Sequence, residues 1–201
     1  LALIKAASSD TDNAIKLLQS KSASPLNSEQ KRSAWGVVAK QAAQQFDDKA
    51  LDYFAVAGNA ALSDDILAWK VRAGLRAGKT PAWSVIQSAV DNMSPAAQKE
   101  PAWVYWRARA WMGQQAAGSA PSEQALAALQ SIAGAQGFYE QLASEELGKK
   151  ITVPPRPLPP QSQEMAAVKA NPLLQRALYA IKIGLRQDGV REWNYATGLV
   201  D

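Results

Sequence analysis

Three tryptophans recur at near-constant spacing, and this recurrence limits the fold more than any other feature of the sequence. Trp35, Trp69 and Trp106 lie 34 and 37 residues apart. Trp69 is followed by Arg72-Ala73 and Trp106 by Arg109-Ala110 at the same offsets, and Trp35 is followed by Ala39 at the alanine offset. A bulky residue four positions before a small one places both on one face of a helix. Between these segments lie others with apolar faces of their own, at Leu51/Phe54, Trp83/Ile86 and Leu126/Leu129. A helical hairpin with such a face cannot bury it alone, so neighbouring hairpins must stack. The plainer alternative is an irregular helix bundle in which the tryptophans recur by coincidence.

The breakers fit helices of one to two dozen residues. Asn27-Ser28-Glu29-Gln30 has capping-box spacing. Thr80-Pro81 and Ser94-Pro95 each pair a capping hydroxyl with a proline suited to a first helical turn. Gly58 and Gly78 fall near helix ends. The spacing predicts helices over 11–21, 28–45, 47–58, 63–77, 81–92, 101–116, 121–134 and 137–148. Beyond a proline-rich stretch it predicts helices over 161–170 and 172–187, with a turn at Gln187-Asp188-Gly189 and a last helix carrying Trp193 inward. Leu174, Ala177, Leu178, Ile181 and Leu185 form the expected core stripe of the helix over 172–187. Ala is abundant and Val, Ile and Thr are sparse, which favours helix over strand. The nearest strand candidate, Lys150-Ile151-Thr152-Val153, runs into prolines. The expected fold is all-α, an α-α superhelix resembling a tetratricopeptide solenoid of helical hairpins. Residues 1–148 form the scaffold domain, 149–160 a Pro-rich linker with five prolines, and 161–201 the start of a truncated helical linker domain. The PxxP spacing in the linker also matches ligands of SH3-like domains, although a spacer is the plainer reading.

Composition excludes several chemistries. With no Cys and no His, disulfides, thiolate sites and a Ser-His-Asp triad are impossible within the chain. No metal site and no cofactor is expected. None of the common nucleotide, zinc-protease or serine-hydrolase motifs occurs. The net charge of +4 comes entirely from residues 149–201, because 1–148 carry 14 basic and 14 acidic residues. That excess reads as a solvated surface or as a weak attraction for an anionic partner, and it is too sparse for nucleic acid. No apolar run is long enough to span a membrane, and no signal peptide is visible. Leu1 in an apolar start and Asp201 in an open helical pattern suggest a fragment or a processed chain.

The carboxylate pairs read as structural. Glu145 and Glu146 are adjacent, so they point about 100° apart on a helix and do not face one site, as a glycosidase pair would. Asp47-Asp48 and Asp64-Asp65 sit at expected helix starts, where the dipole favours them. On the helix over 101–116, Trp103, Trp106 and Ala110 face the expected core. Tyr105 and Trp111 lie off that face, where an exposed ring could stack on a sugar. In 137–148, Tyr139, Leu142, Ala143 and Leu147 form an apolar face, Phe138 steps with Leu142, and Gly148 sits where the helix should stop.

Three blocks carry a family resemblance. They are Ser33-Ala34-Trp35-Gly36 with Ala50-Leu51-Asp52-Tyr53-Phe54, then Pro101 through Ala110 with its Trp103, Tyr105, Trp106 and Arg109, and then Phe138-Tyr139 followed by Leu142 through Gly148. Together with the leucine-rich helix over 173–187 and Arg191-Glu192-Trp193, they resemble the helical, non-catalytic part of soluble lytic murein transglycosylases. Glu140 departs from the glycine that often follows Phe-Tyr in that family. The resemblance implies a periplasmic, Gram-negative location, with outer-membrane association through a segment upstream. The family cleaves peptidoglycan glycan strands to 1,6-anhydro-muramyl products, using a glutamate in a Glu-Ser dipeptide of a lysozyme-like C-terminal domain. None of the eight glutamates here precedes a serine. Asn194-Tyr195-Ala196-Thr197-Gly198 is only superficially similar to a family motif, and its position assigns it to a helix. No catalytic residue is therefore carried over. The implied partners are glycan strands and the protein's own catalytic domain. Arg72, Arg76, Arg107, Arg109, Tyr105 and Trp111 are the substrate-guiding candidates, with the basic residues of 149–201 in support. The alternative is a tetratricopeptide-like protein–protein adaptor with no enzymatic parent.

Overall fold

A computed structural model describes residues 5–6, 10–58, 61–134, 136–150, 156 and 158–199. Among the described residues there are eleven α-helices and no strand. The first unit, up to Val153, holds α1 (Thr11–Gln19), α2 (Ser28–Gln44), α3 (Ala50–Ala57), α4 (Asp64–Leu75), α5 (Trp83–Asp91), α6 (Pro101–Gly113), α7 (Glu123–Ile132) and α8 (Phe138–Glu146). The second, from Pro154, holds α9 (Ser162–Ala170), α10 (Pro172–Lys182) and α11 (Arg186–Thr197). No helix among them is long and apolar enough to cross a membrane. Residues 151–155 and 157 of the expected linker, and with them most of the strand candidate, lie outside the described residues.

The recurring tryptophans fall on the first helices of three hairpins, α2–α3, α4–α5 and α6–α7, and the small residue four positions on is buried each time. Ala39, Ala73 and Ala110 are at most 5% exposed. The large partner on each second helix, Phe54, Ile86 or Leu129, is at most 1% exposed. Burying each of these contributes about 1.5–3 kcal/mol. Ala73 of α4 joins Ala39, Ala43, Ala50 and Phe54 of the hairpin before it. Ala110 of α6 likewise joins Leu67, Val71, Ile86 and Val90. The small residue thus marks where one hairpin docks on the last. At the start of the stack α1 supplies Ala14 and Leu18 to a cluster with Trp35 and Val38, and Trp35 stacks on Tyr53 at 5.7 Å. At its end α8 packs on α6 and α7.

The caps set the boundaries. Asn27 and Gln30 make the full capping box of α2. Gly148 has φ +66°, its N–H bonds Glu145 O, and Lys149 N–H bonds Ser144 O. This paired closure ends α8 at the expected glycine. Ser94 starts only a short 3-10 turn, Ala97–Lys99, and spends its hydroxyl and N–H on the Asp64 carboxylate at 2.6 and 2.7 Å. Those two bonds tie the α4 N-terminus to the loop after α5 and hold the Asp64 carboxyl below its ordinary value. Thr80 caps nothing, because α5 starts later, at Trp83, with Ala82 as N-cap.

The second unit corrects one expectation. The helix over 172–187 ends at Lys182, and the turn falls at Gly184 rather than at Gln187-Asp188-Gly189. Gly184 takes φ +95°, with Leu185 N–H bonding Ala180 O. Gly189 lies inside α11, where α10 comes so close that a Cβ would stand 2.5 Å from Ile181 Cγ1 and 2.7 Å from Ala177 O. Both glycines punctuate the sequence, but only one supplies the turn, and the other supplies room. The core of this unit is Leu174, Ala177 and Ala196, while Leu178 and Leu185 of the expected stripe are about half exposed. Trp193 is half-buried in α11, which also carries 194–197 as helix.

Two outcomes follow from these contacts. Gly189→Ala forces α10 and α11 apart and destabilises the second unit by about 1–3 kcal/mol, read by urea denaturation followed through local amide exchange. Asp64 has a depressed folded-state pKa, so its contribution is present above the ordinary carboxylate value of 3.8 and is lost as pH falls through the folded value. Asp64→Asn should therefore flatten the acid limb of the stability–pH curve, and an unchanged limb would refute the assignment.

Candidate functional site

The guiding candidates begin on α6, whose sequence dresses every side of the helix with large residues. Pro101 fits the first turn, where its missing N–H costs nothing. Trp103, Trp106 and Ala110 pack toward α4 and α5. Tyr105, Ala108 and Met112 pack toward α7 and α8, and Trp106 is shared between both sides. Arg107, Arg109 and Trp111 remain at the margins, half-buried.

Tyr105 differs from its expected place. It is 4% exposed, buried under α8, and does not offer its ring to solvent. Its ring meets Trp106 edge-on at 5.2 Å and Tyr139 at 5.7 Å, and Trp106 Nε1 donates to the Tyr139 hydroxyl at 3.4 Å. The reason is that α8 closes the stack on the side of α6 that the tryptophan repeat leaves open. The Tyr105 hydroxyl accepts from Arg109 Nη1 at 3.2 Å and donates to Glu146 Oε1 at 3.3 Å, while Arg109 and Glu146 form an ion pair. Burial raises the phenol's pKa, an effect the nearby guanidinium opposes. Glu146, expected as a surface charge, is thus half of a partly covered pair that pins α8 to α6. Phe138, expected with the apolar face, is 69% exposed, with its ring against Tyr139 at 5.2 Å.

Arg107 and Trp111 form a separate pair. The guanidinium lies 5.3 Å from the Trp111 ring, donates to Gln98 Oε1 at 3.2 Å and lies 3.7 Å from Asp91 Oδ1. On α4, Arg72 sits between two rings, 4.8 Å from Trp69 and 5.6 Å from Trp103. One turn on, Arg76 donates to Ala43 O at 2.8 Å and lies 4.4 Å over the Phe46 ring. The six candidates therefore form three constellations and no single pocket. Arg72 and Arg76 are exposed cations on aromatic faces, Arg107 and Trp111 form an edge, and Tyr105 and Arg109 form a structural clasp.

Sequence reasoning missed Phe46. It is the C-terminal residue beyond the α2 cap, at φ +62°, where glycine is the usual occupant, and it is 71% exposed. Holding a side chain in that region costs about 1 kcal/mol. The signal was present: the expected helices 28–45 and 47–58 leave an aromatic as the lone connecting residue. Arg76 and Phe46 border a cavity of about 400 Å³.

No family model matches the chain, and no curated protein matches it. Among solved structures it is similar to an inactive mutant of the lytic transglycosylase Slt from Pseudomonas aeruginosa, with 24% identity and a TM-score of 0.67. The match covers 98% of this chain and 31% of that one, so the chain spans about a third of that protein's length. At this identity the likeness is one of fold.

The clasp gives a direct test. Arg109→Met should destabilise the first unit by about 1 kcal/mol in urea denaturation. In a Glu146→Gln background the same change should cost clearly less, and equal costs in the two backgrounds would mean that the pair is idle.

Proposed function

We propose that the chain is the superhelical scaffold region of a periplasmic lytic transglycosylase acting on peptidoglycan, and that its work is to seat glycan strands rather than to cut them. The observation that carries this reading is the agreement in fold, over 98% of the chain, with the Pseudomonas aeruginosa enzyme. The residue blocks around Trp35, Trp106 and Phe138-Tyr139, recognised on other grounds, point the same way. Bond cleavage is assigned to no residue of this chain. Its glutamates lack the Glu-Ser context, and Glu146, the most tempting, is engaged with Arg109 and Tyr105.

Peptide-bearing glycan strands are anionic, so exposed cations attract them at long range and flat rings receive their sugars at contact. The exposed Arg72 and Arg76, and the half-buried edge pair Arg107 and Trp111, are the residues proposed to make those contacts. Tyr105 and Arg109 act behind them by holding α8 in place. The adaptor reading draws its support from a different feature, a cleft of about 470 Å³ in which Leu26, Val37, Leu62 and Ile66 are joined by Glu29 and Gln30. An adaptor would leave purified sacculi in the pellet alone.

The chain should co-sediment with purified peptidoglycan sacculi, less so at higher salt, and should release no 1,6-anhydro-muropeptides. Combining Arg72→Ala, Arg76→Ala and Arg107→Ala should lower the bound fraction by about threefold or more. Anhydro-product release would overturn the non-catalytic assignment, and unchanged sedimentation of the triple variant would overturn the guidance role.

A further inference from the structure

The Phe46 cavity combines features that packing alone does not require. A large aromatic occupies a left-handed position, and the residue is 71% exposed. Arg76 covers one face of that ring at 4.4 Å. The same cavity is bordered by Asp47, Asp48, Leu51 and Ala73, and its volume of about 400 Å³ lies within the range of small-molecule sites. Asp47 Oδ1 accepts from Lys49 N–H at 2.9 Å, which leaves its second oxygen for another donor. The Asp48 carboxylate is exposed. Arg76 uses Nη2 on Ala43 O and keeps further N–H groups for an acceptor.

This set favours one ligand chemistry over another. A cation would find the aromatic's cation site already taken by Arg76. An anion would meet two carboxylates beside the single guanidinium. A neutral polyhydroxyl ring can use every group present: C–H faces pack on an aromatic, hydroxyls donate to carboxylates, and hydroxyl or acetamido oxygens accept from a guanidinium. We propose that this cavity is a saccharide subsite, which holds a neutral sugar ring against the open face of Phe46 with Asp47, Asp48 and Arg76 fixing its hydroxyls. The choice of an N-acetylated sugar rests on the peptidoglycan reading above, whereas the cavity's preference for a neutral sugar does not.

The left-handed backbone makes the test sharp, because Phe46→Gly removes the ring and suits the turn better than the native residue. That variant should fold with an unchanged or raised melting temperature. In amide-resolved NMR titration with the N-acetylglucosamine tetramer, wild-type amides of 46–51 and 73–78 should shift. The dissociation constant should rise by about tenfold or more in Phe46→Gly and by about threefold in Asp48→Asn. Phe138→Ala, which removes an exposed aromatic elsewhere, should leave it unchanged. Absence of shifts in those two segments, or equal affinity in Phe46→Gly, overturns the subsite. If sacculi still sediment with the chain in that event, only the subsite falls. If sacculi do not sediment but the tetramer shifts these amides, the scaffold reading falls and the subsite stands.

Discussion

Everything in the first unit depends on the close seating of one hairpin's small face against the large residue of the hairpin before it. Ala73 reaches the Phe54 cluster and Ala110 the Ile86 cluster because no longer side chain stands between the helices. Each hairpin alone has one bare apolar face, and a helix of 8–17 residues is marginal in water without tertiary burial. Stacking is thus the condition for the hairpins to exist at all. Glycine extends the same device: at Gly113 a Cβ would fall 2.3 Å from Trp83 Nε1, so the indole lies directly on the α6 backbone.

Most of this arrangement is legible in the sequence because it is periodic. Trp35, Trp69 and Trp106 report the repeat, and Phe54, Ile86 and Leu129 report the second helices. Short-range chemistry was legible too, as at Asn27 with Gln30 and at Gly148, where the stop signal is local. What escaped was set by competition or by distance. Gly184 and Gly189 are both plausible turn residues, and only the approach of α10 to α11 decides between them. Tyr105 looked exposed because the repeat accounts for one side of α6, whereas α8 arrives on the other from more than thirty positions away.

The candidate site was less legible than the fold, for a related reason. Arginines at matching repeat positions do not share an environment. Arg72 lies between two indoles, while its counterpart Arg109 is tied to a carboxylate and a phenol. Repetition copies backbone placement, but the neighbours of each repeat differ, and charge responds to neighbours. Phe46 was overlooked because it belongs to no repeat and interrupts a local rule. Strained positions cluster at functional sites, and that is what makes Phe46 a candidate.

The substantial contacts of the first unit run within each hairpin and from each hairpin to the one next to it, and that has a mechanical consequence. Such a stack behaves as springs in series. Each hairpin junction yields a little, the yields add along the array, and no junction relieves another. Pulling on one end is therefore felt as small rotations shared across every seam rather than as rupture at a single one. A body built this way bends to follow a load while each of its cores stays closed.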